Sequence, residues 1–498
     1  MESIKFFNVD GLIIIVFLLI NLLVGLYAGR SVATLKEYAI GNRDFTTGTL
    51  TAAIVATWIS GSYFAIAVSE VYKNGLWYVT SSLGLILYLL IIGLVFAPRM
   101  KEFLGKLSVA EVMGDLYGKN IRLITAITAI AQAVGMTALQ IKVFSTIFSH
   151  FLGVGSVYAV IVSSFVVIAY AAFGGIRAIT FTDVLQFIIF IIFIPLFTLF
   201  VWQFLGDKEL IISTWQTNPN FDLGKIFNFH QLKFWEYLTL FIYCAIPSSS
   251  STIFQRILMA KNLTQISQAF TRAAIIVLFI HIFICFIGFI VLSHNLNLDP
   301  NNIAIYVLDL YSTIGLKGWL AIAGIMAMIM STADSWINTG SVIFVNDFCK
   351  SLNIKIKNEL LFIRVFAAFI GTFAVILALS ATNLLELLLL QANFYKPIVT
   401  IPLLLAILGF RTSTRCVLIG MAAGFLTVII WKAFIQPIIT IDSLVPGMLV
   451  NLIFLVISHY LLGESGGWTH TKKKLLLKKL QLNKSSTNSA YTKVKYEF

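Results

Sequence analysis

Residues Ala327 to Ser335 read Ala-Met-Ile-Met-Ser-Thr-Ala-Asp-Ser and interrupt an otherwise apolar stretch. Two adjacent hydroxyls, Ser331 and Thr332, followed by the Asp334 carboxylate, are costly at membrane depth unless they face protein, water or an ion. Hydroxyl oxygens joined by backbone carbonyls suit a hard cation, which takes oxygen ligands. A lone Ser or Thr in a membrane helix usually bonds back to its own carbonyls. Here the pair has a counterpart, Ala56-Thr57-Trp58-Ile59-Ser60-Gly61-Ser62, where small and polar residues again break an apolar stretch. Two interrupted helices facing each other near the bilayer midplane would enclose a site for an ion and a solute. Both stretches are therefore expected to be broken helices.

The elements that must hold these residues follow from composition. The chain has 498 residues, of which 59% are hydrophobic and 11% charged, with a mean hydropathy of +0.93. No soluble globular class has this balance. Apolar runs long enough to span a bilayer recur along the chain, giving an all-α polytopic membrane protein rather than a β-barrel. The first run, 11–29, leads directly into Arg30 with no polar cleavage region, and reads as a retained helix. The net charge of +13 is explained by topology signals, not by nucleic acid. Cys244, Cys285, Cys349 and Cys416 have no metal-binding or disulfide spacing. No phosphate-binding loop is present. The serine run 248–251 has no His or Asp beside it, so neither ATP drive nor nucleophilic catalysis is supported. No cofactor is expected, and the chain reads as a non-enzyme.

Hydropathy gives about thirteen spans, at 9–29, 46–71, 77–98, 123–148, 154–173, 179–204, 235–251, 273–293, 317–345, 361–381, 384–408, 416–435 and 444–462. With the N-terminus outside, the cytosolic segments carry 26 Lys and Arg residues and the outer ones 6. That asymmetry predicts an N-out, C-in orientation, with Lys142, Lys396 and Lys432 in or near spans. Residues 1–462 form the membrane domain. Spans 2–6 (about 45–204) and 7–11 (about 235–408) make two units of five. Because five is odd, the units have inverted topology, the 5+5 arrangement of LeuT-type transporters. Residues 463–498 form a basic cytosolic tail, with Lys472-Lys473-Lys474 and Lys478-Lys479 around Leu475-Leu476-Leu477, suited to anionic lipid.

Four segments, in this order, resemble the sodium:solute symporter family, which includes proline, pantothenate, choline and sugar symporters. They are Tyr38-Ala39-Ile40-Gly41-Asn42-Arg43, Gly174-Gly175-Ile176-Arg177-Ala178 with Thr182-Asp183-Val184-Leu185-Gln186, Phe254-Gln255-Arg256, and Met330-Ser331-Thr332-Ala333-Asp334-Ser335. The resemblance covers most of residues 9–435 and implies sodium coupling. By position it implies sodium ligation by the carbonyls of Ala56, Ile59 and Met328 and the hydroxyls of Ser331 and Thr332. It implies a place for Asp183 on the cytosolic sodium exit path.

The segment Ala56-Thr57-Trp58-Ile59-Ser60-Gly61-Ser62-Tyr63 is most similar to the choline branch, where a tryptophan can hold a quaternary ammonium by cation–π attraction. Simple packing is the alternative role for Trp58. The chain departs from that branch at Ser248-Ser249-Ser250-Ser251, where the branch has Pro-Trp. Pro247 removes a helix donor there, so span 7 is expected to loosen and line the cavity. Trp58, Ser60, Tyr63 and Ser250 are therefore expected to face the solute. His281 is a lone mid-span histidine, and Lys142 is expected to snorkel. The expected activity is sodium-coupled symport of a small amino acid, carboxylate or quaternary amine in a bacterial inner membrane. A transporter-like sensor acting on a partner protein, or an uncoupled uniporter, are the alternatives.

Overall fold

The computed structural model describes residues 9–30, 32–152, 155–294, 297–312, 316–380, 383–439 and 441–468. Most of the basic tail, including its lysine clusters, lies outside the described residues. Helix covers each of the thirteen apolar stretches. We label them α1 (Val9–Gly29), α2a (Thr47–Trp58) with α2b (Gly61–Asn74), α3 (Leu76–Glu102), α4 (Lys119–Leu152), α5 (156–173), α6 (Gly174–Leu205), α7a (Leu232–Ala245) with α7b (Ser251–Leu258), α8 (Leu263–His294), α9 (Leu316–Ile343), α10 (Glu359–Ser380), α11 (Leu384–Leu408), α12 (Thr414–Ile439) and α13 (Leu444–Leu461). Among the described residues, eight helices are individually long and apolar enough to cross a membrane, or nine when the bent pair α2a–α2b counts as one span. The break in α7 leaves pieces of 14 and 8 residues, each too short to span a bilayer alone. The chain is a multi-pass helical membrane protein. Its first tail residues depart from the all-α expectation: Gly467–Trp468 pairs antiparallel with Phe410–Arg411.

The interior is built around α9. Every residue from Ala327 to Ser335 is buried, with at most 1% exposure. Lipid-facing positions carry Leu, Ile and Phe, such as Ile275, Ile282, Phe369 and Ile376. Apolar side chains outside and polar ones inside are what a bilayer solvent selects.

Short motifs fix how the helices meet. The short helix Leu35–Ile40 opens with a reciprocal capping box: Glu37 N–H donates to Thr34 Oγ1 at 3.1 Å, and Thr34 N–H donates to Glu37 Oε2 at 3.2 Å. Hydrogen bonds from the Ala33 amide and the Asn42 side chain hold the Glu37 carboxyl below its ordinary pKa. That helix ends at Gly41, and Gly41, Asn42 and Arg43 all have positive φ. This turn sends Arg43 to the segment just after α7b, where it donates to the carbonyls of Ala260 (2.8 Å) and Lys261 (2.9 Å).

At the start of α6 the chain turns at Gly175, with φ 61° and ψ 174°. L-residues rarely adopt this conformation, and a Cβ here would stand 2.9 Å from the Tyr38 ring. The glycine pair thus lets α6 restart and seats buried Tyr38 against it. In the same motif Gln186 donates to Asn21 of α1 at 2.8 Å.

Candidate ion and solute site

Two helices are broken at the centre of the molecule. In α2 the residues Ile59 (φ −85°, ψ 91°) and Ser60 (φ −96°, ψ 162°) are extended, and the two halves bend by 53°. The Tyr63 amide would serve the Ile59 carbonyl in a continuous helix, but it donates to Ser60 Oγ at 2.9 Å instead. Ser60 is thus the N-cap of α2b. The second break, 246–250, lies in α7. Pro247 has no N–H for the Tyr243 carbonyl, and Ser249 has a positive φ of 46°.

The expected break in span 9 is absent: α9 runs unbroken through Ser331 and Thr332. No Gly or Pro falls between Ile325 and Thr339, and the two hydroxyls bond back to the Met328 carbonyl at 3.2 and 3.3 Å. The broken partner of α2 is α7, and α9 supplies its oxygens from an intact helix.

Those oxygens converge on the α2 break. Ser331 Oγ lies 2.8 Å from the Ala56 carbonyl oxygen, and Thr332 Oγ1 lies 3.4 Å from that of Thr57. Each hydroxyl has one hydrogen and two carbonyls in reach, so it cannot serve both at once. Ala56, Met328, Ser331 and Thr332 are therefore together. The Ile59 carbonyl, freed by the Ser60 cap, belongs to the same turn, and Thr57 joins the set without having been foreseen.

Beside this cluster lies a fully buried ion pair. Arg256 Nη2 is 2.7 Å from Asp183 Oδ2, 3.0 Å from Thr57 Oγ1 and 2.8 Å from Ser335 Oγ. One guanidinium thereby ties α7b to α6, α2a and α9. Asp183 Oδ1 is buried with no hydrogen-bond partner. Arg177, the basic residue nearest Asp183 in sequence, lies 3.7 Å from Asp44. Gln255, preceding Arg256, donates to the Ala39 carbonyl at 2.7 Å and to Asn338 at 3.1 Å.

A cavity of about 170 Å³ opens on the other side of Thr57, and Trp58, Ser60, Tyr63 and Ser250 all line it. Trp58 packs against Tyr88 of α3 with ring centroids 4.7 Å apart. Tyr63 hydrogen-bonds through its hydroxyl to His281 of α8, which also meets Ser82 at 3.1 Å. The lone mid-span histidine is thus packed and hydrogen-bonded. Tyr88, Trp336 and Gln391 complete much of the wall, together with Lys396. In the sequence Lys396 stands out only as a lysine in or near a span. A lysine beside a proline in an apolar run was the available signal.

The sodium:solute symporter family model matches residues 38–424. The high-affinity choline transporter 1 of Caenorhabditis elegans is 24% identical over 448 residues, covering 83% of this chain and 76% of its own length. The sodium/proline symporter of Staphylococcus aureus strain Newman is 24% identical over 495 residues, covering 92% of this chain and 94% of its own. In structure, a Na+-coupled sialic acid symporter, solved substrate-bound and outward-open, superposes with a TM-score of 0.80. Its identity is 18%, over 93% of this chain and 99% of that one. A nucleobase-cation-symport-1 family transporter superposes with a TM-score of 0.53 at 11% identity, over 84% of this chain and 93% of that one. These two neighbours share the LeuT-type fold. The matched span, the order of the four motifs and the fold together identify this chain as a member of the sodium:solute symporter family, a family of transporters rather than enzymes.

Proposed function

We propose that the chain uses the inward sodium gradient to import a small organic solute across a bacterial inner membrane. The observation that carries this reading is the convergence of Ser331 and Thr332 with the carbonyls at the α2 break. Sodium binds to the carbonyls of Ala56, Ile59 and Met328 and to the two hydroxyls, and no other cofactor is needed. The solute sits in the adjacent cavity against Trp58, Ser60, Tyr63 and Ser250. Sodium bound across α2 and α9 holds the unwound turn in shape, so ion and solute raise each other's affinity by the same factor. Asp183 serves sodium on its way to the cytosol, and its unpartnered buried oxygen supports that role. The 5+5 inverted repeat, with N-out and C-in topology, provides two bundles that rock to alternate access.

The test is sodium-driven uptake in proteoliposomes over a panel of amino acids, carboxylates and quaternary amines. Losing one buried oxygen partner costs about 1 kcal/mol, or roughly five-fold in affinity. Ser331→Ala and Thr332→Ala should each weaken sodium affinity by about that factor, and the double variant by roughly thirty-fold. A double variant with unchanged sodium dependence refutes the site. Uptake indifferent to sodium makes the chain a uniporter.

A further inference from the structure

We propose that the solute carries a carboxylate and that Lys396 of α11 is the residue that binds it. This rests on the solute cavity of the proposed function and names the class of molecule it takes. Lys396 is only 7% exposed and lines the cavity, yet no carboxylate lines that cavity with it. Its ammonium donates to the Tyr243 carbonyl at 2.7 Å and lies 3.6 Å from the Tyr243 ring centroid. No acidic group lies within 4.0 Å of Lys396 among the described ion pairs. Asp442 acts on it from a neighbouring cavity, lined also by Glu70 and Glu236, which shares Leu240, Tyr243 and Leu385 with the first. A buried ammonium has three donors and needs a counter-charge, and one carbonyl supplies neither the remaining acceptors nor the charge.

The backbone is shaped to put this lysine there. Lys396 begins a π-helical turn, Lys396–Thr400, in the middle of α11, a feature often found at functional sites. Asn451 of α13 holds the turn by donating to the carbonyls of Pro397 (2.7 Å) and Ile398 (3.2 Å). The neighbouring Tyr395 hydroxyl donates to the Ser249 carbonyl at 3.2 Å, which fixes α11 against the break in α7. Polar groups in the cavity complete a carboxylate site. The serines of the α7 break offer hydroxyl donors, and Gln132 and Gln391 each have a side-chain oxygen without a partner, free to accept from a solute amine or hydroxyl. Trp58, Tyr88 and Trp336 supply an apolar wall for the remainder. A cationic solute without a carboxylate would instead share the cavity with a like charge.

A plainer role for Lys396 is to cap the Tyr243 carbonyl that Pro247 leaves unpaired, and the test separates the two. Radiolabelled pyruvate, L-proline, betaine or choline is added outside proteoliposomes that hold an inward sodium gradient. Betaine and choline share a trimethylammonium group and differ in the carboxylate. At least one carboxylate should be carried and choline should not. For the carried probe, Lys396→Met and Lys396→Gln should each weaken affinity at least roughly ten-fold, while Lys396→Arg keeps most of it. Lys396→Gln retains a donor for Tyr243, so unchanged affinity in that variant means a cap only and overturns the proposal. All variants should keep the sodium-induced thermal shift of the solute-free protein, which shows that they fold. Choline uptake, or no uptake of any carboxylate, also overturns it. Carboxylate uptake that is Lys396-dependent but sodium-independent would refute sodium coupling and leave this inference standing.

Discussion

The Arg256–Asp183 pair offers the sharpest test of how the core is held. Both side chains are fully buried, and their closest atoms are 2.7 Å apart. At an effective dielectric of about 20, Coulomb attraction at that distance is roughly 6 kcal/mol. Desolvating both ions offsets most of it, so the pair as a whole adds little net stability. Removing one partner is another matter. Arg256→Gln leaves a carboxylate buried with nothing to neutralise it, and Asp183→Asn leaves a guanidinium in the same position. Each single variant should lose about 3–5 kcal/mol. The double variant removes both charges and keeps amides that can bond to each other, so it should recover most of that loss. The assay is reversible unfolding in detergent micelles for the four proteins of the cycle, followed by sodium-driven uptake for those that fold. Single variants within about 1 kcal/mol of the parent would refute the reasoning. So would a double variant whose loss equals the sum of the singles, since independent sites add and a charge pair does not.

Gly175→Ala should cost about 1–3 kcal/mol, because its backbone conformation is nearly exclusive to glycine. Gly174→Ala, whose backbone does not have a positive φ in that range, should cost less in the same thermal assay. Single cysteines at Ser213 and Ser485 should label from the outside and the inside respectively, as the basic-residue asymmetry requires. Outside labelling of Ser485 would overturn the orientation. Trp58→Ala should weaken uptake more than Trp58→Phe, since phenylalanine keeps an aromatic face against Tyr88. Equal kinetics in both variants would remove Trp58 from the solute site.

What could be read from sequence was local. The apolar runs gave the helices. Small and polar residues at 56–62 marked the break in α2 because they interrupt an apolar stretch, and Pro247 marked the break in α7 because it lacks a donor. The Ser331–Thr332 pair stood out because such oxygens are costly in lipid, and both hydroxyls meet carbonyls at the α2 break. The break assigned to α9 was wrong because polar residues alone do not unwind a helix when their hydroxyls can bond back to Met328. What was not legible depends on partners far apart in the chain. Arg256 meets Asp183 across 73 residues and Ser335 across 79. Lys396 meets Tyr243 across 153. Spacing within a helix shows which face a side chain takes and not which helix it meets.

Thr57 is where these long-range contacts join. Its carbonyl lies by Thr332, its hydroxyl donates to the Ala53 carbonyl at 2.8 Å and accepts from Arg256, and its side chain lines the solute cavity beside Trp58. The ion cluster, the ion pair and the cavity thus share one residue at one helix break. A cation bound there as proposed would restrain the same turn from which Trp58 and Ser60 line the cavity. Coupling between two ligands needs only a shared element whose equilibrium both of them bias. Here that element is the turn 57–60. A coupling of about 1–3 kcal/mol, or roughly 5- to 150-fold in affinity, requires no relay through the rest of the fold. With Asp183 on the exit path as proposed, that path would begin at the same point, since Arg256 Nη2 meets both Thr57 and Asp183. A movement of α7b that shifts Arg256 would therefore disturb Thr57, which lines the cavity and sits at the same break.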